Sequence, residues 1–187
     1  MFTRNYYRVL LGMMAGRSRE VRLYNLDGKW ATAMGTYALS SFYGSGDATL
    51  RASPRITGVF SLGSTLNTSN GGLVVGSGRR APSLDDYALE TRITSGLQIR
   101  NTGLCWVEEE GVVGAVSTFA IRNAGESTIT VAEVGLVGVA TIGNATGSAS
   151  IPWLAERTVL TQPLVIEAGR QANLTYAVRI PFGEGRT

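Results

Sequence analysis

Residues 171–182 read QANLTYAVRIPF, with Leu174, Tyr176, Val178 and Ile180 at every second position and Asn173, Thr175, Ala177 and Arg179 between them. A period of two sends alternate side chains to opposite faces of an extended chain, so this stretch predicts a strand with one buried face. The same alternation recurs upstream. Phe119 and Ile121 alternate with Thr118 and Ala120, and Tyr87 and Leu89 alternate with Ala88 and Glu90. In TITVAEVGLVGVA, residues 128–140, the apolar parity moves from Ile129 and Val131 to Val134 and Leu136, which predicts a bulge near Ala132 or Glu133. Residues 55–62, 72–76, 96–108 and 157–167 are further strand candidates.

Glycine and polar turn signals separate these runs. Glu167-Ala168-Gly169 and Asn123-Ala124-Gly125-Glu126 each predict a corner with glycine at positive φ, and Ser69-Asn70-Gly71-Gly72 predicts a third. Pro163 has no N–H to donate to a ladder, so its strand is expected at an edge or bulged there. About eight strands joined by short turns, with no helical pattern among them, predict an all-β domain. Its body is expected to be an antiparallel β-sandwich or jelly roll over residues 49–187, preceded by an extended N-terminal arm over residues 1–48.

Composition excludes most familiar chemistry. With His 0 and Cys 1 the chain has no Ser-His-Asp or Cys-His catalysis, no intrachain disulfide and no zinc site of the usual kind. A hydrophobic fraction of 44% against 17% charged residues argues for a packed body, and Gly 24 for many turns. No enzyme activity and no cofactor are expected. The apolar run at residues 9–16 is too short to span a bilayer and lacks a cleavage signature, so the expected setting is soluble, with no membrane partner.

Charge gathers at the start. Arg4, Arg8, Arg17, Arg19, Arg22 and Lys29 stand against Glu20 and Asp27 in residues 1–30, a net of +4, whereas the whole chain carries +3. Tyr7, Leu10, Leu11 and Met14 share one face of a short helix, which Gly12 weakens. Such a helix needs a surface, either the protein's own body or a partner. Arg4, Tyr7, Arg8, Leu10, Leu11, Met14, Arg17, Arg19 and Arg22 are therefore the candidate partner-binding residues. Residues 30–47 read as a linker or edge strands.

Elsewhere the bland readings prevail. Glu108, Glu109 and Glu110 before Gly111 read as a solvated hairpin tip rather than a metal site. Asp85 and Asp86 follow Pro82-Ser83 in a turn, where Ser83 is expected to accept from the Asp86 N–H. Gly78-Arg79-Arg80 lacks the strand–glycine–helix context of a phosphate loop, and nucleic acid is not an expected partner. Trp106 and Trp153 read as packing residues, and Cys105 as a small buried one.

Two stretches also resemble a known group. Residues 71–93, GGLVVGSGRRAPSLDDYALETRI, carry the pattern G-x-G-x-x-x-P-x-x-x-D-Y-x-L-E. Residues 119–138, FAIRNAGESTITVAEVGLVG, and 157–182, RTVLTQPLVIEAGRQANLTYAVRIPF, carry I-T-V-x-E-x-G-L and R-x-x-L-x-x-P-x-x-I-x-x-G. Together they resemble small virion-associated proteins of tailed bacteriophages. The resemblance implies a structural component of the virion (capsid decoration, neck or tail) that works as a homo-oligomer. It also implies other virion proteins, such as capsid, portal or tail proteins, as partners, and synthesis in the host cytoplasm. The rival expectation is a carbohydrate- or receptor-binding module using Trp30, Trp106 or Trp153 as a stacking surface.

Overall fold

Alternation in the sequence becomes two antiparallel sheets. The computed structural model describes residues 1–14, 19–35, 56–57, 71–109, 111–144 and 147–181. Its elements are α1 (Arg4–Met14), β1 (Arg19–Tyr24), β2 (Trp30–Gly35), β3 (Ile56–Thr57), β4 (Gly72–Gly76), β5 (Leu97–Glu109), β6 (Val112–Asn123), β7 (Ile129–Asn144), β8 (Gly147–Ile166) and β9 (Gln171–Pro181). In one sheet β6 lies between β5 and β9. In the other, β8 runs along β7 from Ile129 to Asn144, so β4, at Glu133 to Val137, and β3, at Val139 and Ala140, share the opposite edge of β7.

The two sheets face each other through one apolar cluster. Leu73, Val75, Val131, Val134, Leu136 and Ile166 come from the β7 sheet, and Ala115, Phe119, Ile121, Leu174, Tyr176 and Val178 from the β6 sheet. Leu174, Tyr176 and Val178 are the predicted stripe of β9, and Asn173, Thr175, Ala177 and Arg179 face solvent. The fold is all-β in its body, held by burial that contributes roughly 1.5–3 kcal/mol for each large apolar side chain.

The predicted irregularity in β7 is present, and the extra residues belong to its partner. Val131 pairs with Leu164 and Glu133 with Val159, so four residues of β8 stand opposite Ala132 alone. Pro163 falls in that unpaired stretch, where its missing N–H costs no ladder bond. Gly111, between β5 and β6, has a positive φ of 73°, and Gly169 adopts the expected one, 72°. Gly125 does not. The corner after β6 is shaped instead by buried Asn123, whose Oδ1 accepts from Gly125 N (2.9 Å) and whose Nδ2 donates to Ser127 O (2.7 Å) and Ile166 O (2.9 Å). A side chain that mimics a turn of backbone removes the need for left-handed glycine.

Two other expectations change. Residues 87–90 do not form a strand: Leu89 is buried but Tyr87 is exposed, within an irregular stretch that crosses the outer face of the β7 sheet. The N-terminal segment is a helix followed by a hairpin, with Arg19 paired to Gly35 and Tyr24 to Trp30. It lies on the body. Thr3 N donates to Ala155 O (2.9 Å), Arg157 N to Met1 O (3.0 Å), and Phe2 bridges Glu156. Tyr6, Val9 and Leu23 bury against Trp153 and Ala155. Asn5 joins helix to hairpin by donating to Tyr24 O (2.8 Å) and accepting from Tyr24 N (3.1 Å).

Candidate functional site

Lone charges in apolar strands demand partners, and Glu133 and Arg157 find each other. They stand on β7 and β8, both fully buried, with Arg157 Nε 2.7 Å from Glu133 Oε2. Arg157 Nη1 reaches Asp86 Oδ2 at 2.9 Å, and Nη2 lies 3.7 Å from Glu90 Oε2. Arg80 closes the set against Asp86 Oδ1 at 2.6 Å. The remaining acceptor positions hold the crossing segment by its backbone. Glu133 accepts from Gly78 N, Glu90 N and Thr91 N, and Glu90 Oε2 accepts from Arg79 N and Arg80 N. The backbone amides that might have cradled a phosphate are thus engaged by carboxylates. A side chain on Gly76 or Gly78 would collide with Glu133, so both positions keep the backbone close enough for these bonds.

Electrostatics follow from this packing. Burial alone would raise the Asp86 pKa, but the Ser83 N–H, Arg80 and Arg157 outweigh it and lower it below the usual carboxylate value. Glu90 is lowered chiefly by the Arg80 N–H, against a desolvation effect of opposite sign. Burial disfavours charge on Arg157, yet Glu133 and Asp86 more than compensate and raise its pKa. Both ends of the clamp therefore remain charged in the folded chain. The turn at Ser83 differs in detail from expectation: Ser83 Oγ accepts from Asp85 N (3.3 Å), while Asp86 N donates to Ser83 O (3.1 Å). An acceptor that sits two residues away from its donor suits a tight turn rather than a helix cap.

Of the candidate partner-binding residues of the N-terminus, the side chains of Arg4, Tyr7 and Arg8 are described. Arg4 pairs with Asp85 (2.6 Å), and the Arg8 guanidinium lies over the Tyr24 ring at 5.6 Å. Tyr7 is 45% exposed, so the docked face of α1 is the one bearing Tyr6 and Val9 rather than the one that begins at Tyr7. Leu10, Leu11 and Met14 lie in α1, and Arg19 and Arg22 in β1, with side chains outside the described set. Arg17 and the side chain of Trp30 also fall outside it.

The conspicuous surface is β5, an edge strand among the described residues. A bulge between Asn101 and Gly103 re-aims the strand, and from there Leu104 and Trp106 stand opposite Ser117 and Ala115. Opposed residues share a face, so these two side chains point to the same side as the core. Yet Leu104 is 49% and Trp106 81% exposed. Among the described residues, nothing of the facing sheet buries them. Cys105, expected inside, stands opposite Val116 and so projects from the other face of the sheet, where it is exposed. Trp153 is buried, as expected. Glu108 and Glu109 form the exposed end of the β5–β6 hairpin.

Among the described residues, no group of three Asp, Glu, Cys or His side chains is placed to hold a metal ion. A cavity of about 320 Å³ opens between β8 and β9, but its charged groups are already paired, Glu156 with the Met1 ammonium (2.6 Å) and Arg179 with Glu109 (3.6 Å). No described helix is long and apolar enough to cross a membrane. No family model, curated protein or solved structure matches the chain.

Proposed function

We propose that this protein is a structural, non-enzymatic component of a tailed-bacteriophage virion, made in the host cytoplasm, that works by packing against other chains, among them copies of itself. The observation that carries the packing half of this reading is the exposed, uncharged run at residues 103–107 on an edge strand, where Trp106 offers a large apolar side chain to something outside the fold. The virion half rests on the resemblance, whose stretches contribute the clamp residues Asp86, Glu90, Glu133 and Arg157. The N-terminal segment adds to the contact surface through the outward side of α1, at Arg4 and Tyr7, rather than as a separate tether.

Trp106 equally favours the rival, a carbohydrate- or receptor-binding module. That reading is left with one described tryptophan on the surface, because Trp153 is buried, whereas a stacking platform gains from several aromatics. Mass spectrometry of purified particles from the producing host decides between them. Stoichiometric presence of the chain in the particle supports the structural role. Its absence from particles, together with glycan retention that Trp106→Ala abolishes, would favour the rival.

A further inference from the structure

Among the described strands β5 has one neighbour, β6, and its charges bear on what its other edge can accept. Natural edge strands are guarded against pairing by charges, proline or bulges. β5 has such guards only near its ends: Arg100 and the bulge after Asn101 on one side, Glu108 and Glu109 on the other, all three charged side chains exposed. Between them residues 103–107, GLCWV, hold no charge and no proline. Register places Arg100 opposite Ala120 and Glu109 opposite Val112, positions of equal parity on β6, so Arg100 and Glu109 project from one face of the sheet.

We propose that the partner at this edge is a second copy of the same chain, its β5 antiparallel to the first across a two-fold axis near Leu104. This rests on the assembly reading above and names its partner and symmetry. The antiparallel arrangement brings each Arg100 to the end of the other strand that carries Glu108 and Glu109, within the diagonal reach of a long side chain, so that Glu109 is shared between that Arg100 and Arg179 of its own copy, 3.6 Å away and equally exposed. A parallel arrangement sets Arg100 beside Arg100 and carboxylate beside carboxylate, which is unfavourable. The antiparallel arrangement also turns Leu104 and Trp106 of each copy toward those of the other and pairs the main-chain groups of the two edges along residues 103–107. The contact is isologous and closes at two.

The chain supplies its own probe. Cys105 is the single cysteine, it is exposed, and it lies one residue from the proposed axis. Full-length protein treated with a short bis-maleimide is expected to yield a covalent dimer, and light scattering at rising concentration a mass approaching twice 19.8 kDa. Arg100→Glu should weaken the dimer about tenfold, since one charge reversal acts twice across the axis, and Arg100→Glu with Glu109→Arg should restore it. These positions are exposed, and an unchanged circular dichroism spectrum shows that the variants fold. A chain that stays monomeric at every concentration overturns the inference, as does a dimer that neither cross-links at Cys105 nor responds to Arg100→Glu. Neither result touches the virion reading, which particle composition tests separately.

Discussion

Replacing Arg157 by methionine keeps most of the buried stem and deletes the guanidinium, which isolates what the charge does. The variant leaves Glu133 fully buried with only the amides of Gly78, Glu90 and Thr91 to answer its charge. Asp86 is less deprived, because Arg80 remains at 2.6 Å and the Ser83 N–H at 2.9 Å. Removing one member of a buried ion pair costs about 3–5 kcal/mol, most of it the penalty of the abandoned charge. For a chain of this size that is a fall in Tm of roughly 6–20 °C. Adding Glu133→Gln to Arg157→Met removes the stranded charge while Oε1 can still accept from the loop, so the double variant should regain part of the loss. Arg157→Lys should fall between, because one ammonium cannot serve Glu133 and Asp86 along separate edges as the fork does. Calorimetry reads the global effect. Amide hydrogen exchange at Gly78, Glu90 and Thr91 reads the local one, and should speed up in Arg157→Met. A Tm within ~2 °C of the parent with unchanged exchange would refute the clamp.

The same clamp sets the acid limit. Asp86 and Glu90 have folded pKa values below 3.8 and 4.5, so their contribution is complete above the ordinary carboxylate range and is lost as pH falls through the lowered values. The Tm by calorimetry should hold from neutrality to about pH 5 and drop steeply below about pH 4, less steeply in Asp86→Asn. Gly114→Ala would place a Cβ 2.1 Å from Val178 O and force β6 from β9, at a cost of at least about 1–3 kcal/mol in urea denaturation, whereas Gly103→Ala, with no atom within 4 Å, should stay within ~0.5 kcal/mol. Asn123→Ala strips the corner of three hydrogen bonds and should cost about 1–3 kcal/mol or more, with shifted amide resonances at Gly125 and Ser127. Tyr6→Ala opens the seat of α1 on Trp153 and should cost about 3–5 kcal/mol while red-shifting tryptophan emission, and an unaffected Tm would mean that the N-terminal segment does not belong to the core.

The strands were legible because their side chains obey a period that only a half-buried ribbon produces. Leu174, Tyr176 and Val178 announce β9, and the change of parity between Val131 and Val134 announces the bulge opposite residues 160–163 of β8. Patterning failed where the decisive contact joins residues far apart in the chain. Glu133 was visible as a single charge in an apolar run, but Arg157 follows Glu156 and offers no such signal, and nothing local says that Asp86 and Glu90 come to the same place. Tyr87 and Leu89 imitate alternation in a segment that carboxylates, not a ladder, hold down. Cys105 was misplaced by a related error: apolar residues favour the interior, yet a large share of any folded surface is apolar, and the face from which a strand residue projects decides which ones stay outside. The first helix was found, but its docked face was not, because Tyr6 and Val9 count as a seat only once Trp153 is known to lie beneath them.

That division bears on what the resemblance to phage virion proteins can mean. Its charged positions, Asp86, Glu90, Glu133 and Arg157, lie in or beside the buried clamp, and its glycines at residues 76 and 78 allow the backbone to reach that clamp. These are requirements of a scaffold, and any chain that crosses one segment over a sheet in this way meets them regardless of what it touches outside. Residues 96–109, which carry the exposed edge, fall between the resembling stretches and outside both. Scaffold and proposed contact surface therefore fall in separate parts of the chain. A substitution at Trp106 or Arg100 is expected to change association and leave folding intact, and one at Arg157 to do the reverse. If the Arg157→Met variant, held below its Tm, lost dimerisation as completely as Arg100→Glu, the two functions would share one structural unit and the separation would fail.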